Sequence, residues 1–253
     1  MRLALRAGLV AVVAAVAVQS GAAAPARTRP ITTPLSVVFW SPNDGLLGAG
    51  VCRTRKYECG HGAVELTTDG GRTYRVVLRT GSPVTQVQTV GPEDAVAIAR
   101  GHAWRTLDGG RTWHRWDEHP GGSAELAEVS WPTARLGFTT ILGVHGHVFL
   151  WSTQDAGRTW QKRRGPCQAT GVLVSFPTPR DGWLACLGEG GAGNEDKAIF
   201  RTQDGGRTWR AGAFAEGMNN PRERGGLSLT GYPAGIAFAP NGFGLMWESH
   251  GTV

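Results

Sequence analysis

Two small groups of residues have the types and spacing for chemistry. Glu189, Glu195 and Asp196 stand together in GEGGAGNED, and glycoside hydrolysis by general acid and base needs such paired carboxylates. His145 and His147 form a His-Gly-His. On a strand that spacing points both imidazoles the same way, towards a metal that would need further ligands. No third ligand is identifiable, and the acidic stretch lacks the alternating Asp/Asn spacing of a calcium loop. No metal, cofactor or catalytic set is therefore expected; the histidines read as a hairpin tip and the Gly-rich acidic stretch as a solvated loop. That stretch stays as a candidate ligand loop, because loops on a rigid scaffold carry function.

A further set of carboxylates recurs. Asp69, Asp108, Asp155 and Asp204 lie in TTDGGRTY, TLDGGRTW, TQDAGRTW and TQDGGRTW, spaced 39, 47 and 49 residues apart. An Asp ahead of two small residues makes a turn whose carboxylate accepts N–H bonds from its own loop, and Gly71, Gly110, Gly157 and Gly206 supply positive φ without steric cost. Thr73, Thr112, Thr159 and Thr208 follow as β-formers. Tyr74, Trp113, Trp160 and Trp209 then enter a strand and are expected to be buried. On this reading all sixteen residues are structural.

The elements around the octapeptide repeat with it. Apolar runs broken by a Pro- or Gly-containing turn begin at Ser36, Val84, Ala127, Leu173 and Ala234, and each predicts a two-stranded hairpin. The octapeptide closes the next hairpin, so one unit is a four-stranded antiparallel blade of an all-β propeller, and the period suits that architecture. Blades are expected at 36–80, 84–118, 127–165 and 171–213. A partial fifth at 227–253 is to be completed by a strand of the lead-in or by chain beyond Val253.

Four copies of Thr-x-Asp-(Gly/Ala)-Gly-Arg-Thr-(Trp/Tyr) on this period resemble the Asp-box, or bacterial neuraminidase repeat. That repeat belongs to sialidase-like β-propellers, sortilin-type receptors, xyloglucan-cleaving glycosidases and the photosystem II assembly factor. The resemblance implies a box on the turn between the third and fourth strands, at the periphery of each blade. Sialidase members use an Arg cluster announced by Arg-Ile-Pro and a Tyr nucleophile assisted by Glu. Here Arg29-Pro30-Ile31 scrambles that order, Tyr74 lies in a box, and Glu58 faces away from its neighbour Tyr57 on a strand. Gly182-Trp183 after a first strand is similar to assembly-factor members. The expected function is a non-enzymatic binding or assembly scaffold for a protein or glycan partner. A sialidase- or xyloglucanase-type glycoside hydrolase is the alternative.

Residues 1–26 read as a secretory signal: Arg2 and Arg6, then twelve apolar residues from Ala7 to Val18, then small residues to Ala26. Twelve residues are short for a membrane span. The expected mature chain is extracytoplasmic, without stable membrane insertion, and opens with an extended lead-in at 27–35. The net charge of +6 is carried mostly by Arg, with the box arginines spread around the ring, so nucleic-acid binding is not expected. Cys52, Cys59, Cys167 and Cys186 suggest two disulfides in one of three connectivities, pairing within each unit being the simplest. Recurrence assigns Trp40, Trp104, Trp131, Trp151 and Trp183 to packing between blades, leaving Trp116 and Trp247 as the exposed rings.

Overall fold

The computed structural model describes residues 31–52, 59–91, 93–100, 102–116, 120, 128–215 and 227–249. The expected signal, Tyr57 and Glu58 lie outside them. Four antiparallel four-stranded sheets follow in chain order, arranged as blades of a β-propeller. The first contains β1 (Ile31–Phe39), β2 (Gly45–Cys52), β3 (Cys59–Thr67) and β4 (Arg75–Thr80). The second contains β5 (Gln86–Thr89), β6 (Ala95–Ala99), β7 (His102–Thr106) and β8 (His114–Arg115). The third contains β9 (Glu128–Ser130), β10 (Gly137–Leu142), β11 (His147–Thr153) and β12 (Gln161–Gln168). The fourth contains β13 (Gly171–Ser175), β14 (Gly182–Gly191), β15 (Asn194–Thr202) and β16 (Arg210–Ala215), and β17 (Tyr232–Phe238) with β18 (Gly244–Ser249) forms a fifth, two-stranded sheet. Residues 31–35 of the lead-in belong to β1, which pairs with β2 and not with the fifth sheet.

Each octapeptide closes on itself in the same way. Thr67 Oγ1 donates to Asp69 Oδ1 at 2.9 Å and accepts from Gly71 N–H at 2.9 Å, while Thr73 donates its N–H and hydroxyl to the two carboxylate oxygens at 2.9 and 2.6 Å. Asp108, Asp155 and Asp204 repeat the pattern. These bonds favour the ionised form and hold the Asp69 and Asp155 carboxyls down to about 2, with Asp108 and Asp204 lower still. Two positive-φ residues follow every Asp, and Ala156 stands at φ 63° where the other copies have Gly.

The turn also fastens one blade to the next. A Cβ on Gly206 would lie 2.3 Å from Leu150 Cδ2, and one on Gly157 would lie 2.4 Å from Trp116, each on the preceding blade. The aromatic ending the box stands one residue ahead of its strand, and Trp113, Trp160 and Trp209 pack on the cores shared with the blade before. All three are half-buried and not buried as expected. Tyr74 is 40% exposed, because its blade follows no other among the described residues. Trp116 reverses the other expectation: its N–H bonds Ala103 O at 2.8 Å and its ring fills the space between Trp131 and Trp160, 6.0 and 5.7 Å away. Trp247 is exposed as read.

Both disulfides form, and one corrects the reading. Cys52 and Cys59 join β2 to β3, but Cys167 lies on β12, so its bond to Cys186 on β14 staples the third blade to the fourth.

We expect Gly206→Ala to cost about 3 kcal/mol or more, since it combines a clash with a strained φ, and Ala156→Gly to stabilise by up to about 1 kcal/mol. Urea unfolding checks both. The box carboxyls have folded values below the unfolded 3.8. Their contribution is therefore present above about pH 4 and lost as the pH falls towards 2; an acid titration followed by circular dichroism should show that window shift upwards in Asp69→Asn.

Candidate functional site

The first strands β1, β5, β9, β13 and β17 converge on a central cavity of about 810 Å³. They belong to different sheets, and side chains bridge them. Gln86 exchanges both amide bonds with Val129 at 2.9 Å, Ser36 Oγ accepts from Val87 N–H at 3.0 Å, and Ser130 Oγ accepts from Phe176 N–H at 2.8 Å. Glu128 Oε2 accepts from Val174 N–H at 3.0 Å. It stands at the strand position of Ser36 and Gln86, so a charge-capable group has replaced a neutral one. Burial pushes its carboxyl up to about 7, and the Val174 bond offsets only part of that.

A second concavity lies outside the cavity, between the third and fourth blades. It has a volume of about 700 Å³ and gathers Arg135, Arg163, Arg180 and Arg207 over Leu136 and Phe138. Arg163 is braced by Ser152 Oγ at 2.9 Å, and Arg180 Nε bonds Gln203 O at 3.3 Å. Among the described residues, the guanidinium groups of Arg135 and Arg207 meet no carboxylate. The lining carboxylate is Asp204, whose oxygens already accept from Thr202, Arg207 N–H and Thr208. The groove thus carries an excess of positive charge, four guanidinium groups to one carboxylate, beside half-buried Leu136. Guanidinium forks in that setting suit carboxylates, which they bind bidentately.

Sequence reasoning missed this cluster. It treated the box arginines as spread around the ring, yet Arg207 meets three arginines from outside the boxes. Arg135 and Arg180 occupy the same position in the first-hairpin turns of successive units, two residues before Gly137 and Gly182. That recurrence was the available signal.

The acidic stretch is not a loop. β14 and β15 extend through it as a hairpin arm turning at Ala192 and Gly193, both at positive φ. The arm braces the fifth sheet: Gly193 N–H bonds the Tyr232 hydroxyl at 3.1 Å, Glu195 N–H bonds Leu229 O at 3.0 Å, and fully buried Lys197 reaches Glu248 Oε1 at 2.6 Å. Glu189 is exposed, while Glu195 and Asp196 are half-buried. His145 sits in a 3-10 turn at φ 59° and His147 opens β11, so the two do not share a strand. Among the described residues, no three or more His, Cys, Asp or Glu gather as a metal site would require, and no helix is long and apolar enough to cross a membrane.

The Glu128 carboxyl has a folded value above the unfolded 4.5. Its neutral form is favoured in the fold, so stability declines as the pH rises from about 4.5 to 7. Glu128→Gln keeps the acceptor for Val174. We expect it to raise stability by about 2 kcal/mol near pH 8 and to be neutral near pH 4.5, measured by thermal melts at the two values.

No family model matches the chain. A photosystem II assembly protein, Ycf48, from Thermosynechococcus vestitus is 29% identical over 158 residues, covering 59% of this chain and 41% of that protein. The structure of YCF48 from Cyanidioschyzon merolae matches with a TM-score of 0.54 at 18% identity, over 89% of this chain and 66% of that one. The GH74 xyloglucanase from Xanthomonas campestris matches with a TM-score of 0.50 at 15% identity, over 78% of this chain and 32% of the enzyme. The chain thus spans less than two thirds of the proteins it is similar to, and what it shares with the two solved structures is the β-propeller fold.

Proposed function

We propose that the chain is a non-enzymatic scaffold that binds an acidic polypeptide segment in the groove of Arg135, Arg163, Arg180 and Arg207. The observation carrying this is four guanidinium groups around a groove whose one lining carboxylate is hydrogen-bonded within its own turn. Carboxylate-bearing side chains or a chain terminus supply the complementary charge, and half-buried Leu136 offers contact to an apolar neighbour. The sequence likeness to an assembly protein supports a role in bringing proteins together. Two disulfides and the reading of residues 1–26 support an extracytoplasmic location.

The second reading is a glycoside hydrolase, favoured by one observation. Glu128 holds a carboxyl near neutrality in the central cavity, the state a general acid needs. A two-carboxylate mechanism needs a partner for it. Hydrolysis of xyloglucan oligosaccharides that is lost in Glu128→Gln would favour this reading over the scaffold.

For the scaffold, fluorescence anisotropy with a labelled Asp/Glu-rich peptide should give saturable binding that weakens with salt. Arg163→Glu with Arg207→Glu should lower affinity by tenfold or more, since two close attractions become repulsions. Equal binding by wild type and the double variant would remove the groove from the function.

A further inference from the structure

The side-chain bonds that tie the first strands together follow one register. Ser36, Gln86 and Glu128 stand opposite Gly48, Ile98 and Thr140, each the fourth residue of its blade's second strand. They are therefore equivalent positions of three successive blades. Each accepts from the N–H of one equivalent residue on the next first strand: Val87, Val129 and Val174. Gln86 adds a second bond, because its amide also donates to Val129 O at 2.9 Å.

Glu128 has the shape of Gln86 and meets the same backbone group. On an antiparallel strand the N–H and C=O of one residue point to the same side. Val174 turns its N–H to Glu128 Oε2 at 3.0 Å, so its carbonyl is directed to that side as well. A carboxylate has nothing to donate to a carbonyl, whereas a carboxylic acid has. The surroundings favour the acid. β9 packs against β5, β10 and β13, and neither these strands nor β1 carries a titratable or charged side chain. Among the described residues, Glu128 is the one titratable group lining the central cavity. Its burial there acts in the same direction.

We propose that Glu128 is held as the acid and donates from Oε1 to Val174 O, a proton-closed latch between the third and fourth blades that sets the spacing of the arginine groove. The groove half of this inference rests on the binding function proposed above. The strands joined by the latch run directly into the turns 131–136 and 176–181, which carry Arg135 and Arg180. Losing the proton to solvent sets a carboxylate oxygen against the Val174 carbonyl and leaves a buried charge without a partner. The Ser130–Phe176 bond remains between β9 and β13. Strands that pivot on it shift Arg135 relative to Arg180, and the groove loses its fit to a ligand that spans both blades.

The test compares wild type with Glu128→Gln, whose amide keeps both bonds at every pH, by anisotropy of the labelled Asp/Glu-rich peptide at pH 6 and pH 8.5. The peptide carboxylates are ionised at both values, and histidine titration is common to the two proteins. Wild-type affinity should fall from pH 6 to pH 8.5 by at least threefold more than that of the variant. In the infrared difference between the two proteins, the C=O stretch of a protonated carboxyl should be present at pH 6 and lost by pH 8.5. An equal pH effect on both proteins overturns the latch as a control of the groove, and a missing band at pH 6 overturns the proton at Glu128. If neither protein binds the peptide at either pH, the binding function itself fails and the groove half of the proposal with it, while the band still decides where the proton is.

Discussion

A four-stranded sheet has two faces and cannot cover either with its own residues, so every blade here depends on its neighbours. That requirement explains why the best-buried residues are not spread evenly along a unit. They fall where one blade meets the next, as Val64 and Leu46 meet Val87, or Phe138 meets Phe176. The turn chemistry serves the same end. An Asp that satisfies its own loop lets the backbone fold tightly, and the second Gly then brings that turn against the preceding core with no Cβ in the way. The Cys167–Cys186 bond and the Glu128–Val174 hydrogen bond cross a boundary between blades as well.

The repeated octapeptide made much of this fold legible, because an Asp-Gly-Gly turn between β-formers has one economical conformation and it recurs. Strand pairs were legible from alternation. What could not be read was anything decided across a blade boundary. Tyr74 and Trp113 fill equivalent places in sequence, yet one is exposed and the other half-buried, since among the described residues only Trp113 has a blade before it. Trp116 looked unpartnered in the repeat pattern and is buried by Trp131 and Trp160. Cys167 looked like the head of the fourth unit because its strand, QKRRGPCQ, has no apolar alternation.

The acidic stretch failed for a different reason. Gly-rich composition with three carboxylates reads as a solvated loop, and local composition does not reveal that a buried cation waits inside. Lys197 is the residue that organises the arm. A lysine withdrawn from water must find compensating oxygens, and it finds them in Glu248 and in the carbonyls of Thr230 and Gly231. Those partners lie on or before the fifth sheet, so the arm of the fourth blade and the hairpin of the fifth depend on each other.

The disposition of charge separates what this scaffold can bind from what holds it together. Seven carboxylates are engaged within the fold: four close the box turns, Asp94 pairs with Arg105, Asp181 lies 3.4 Å from Arg201, and Glu248 holds Lys197. Basic residues outnumber acidic ones, 26 to 20, so pairing cannot cancel all of the positive charge. Where the turns of the third and fourth blades converge, that excess gathers in one groove. The box carboxylates, bonded by threonine hydroxyls and N–H groups of their own turns, form no ion pair with the guanidinium groups of that groove.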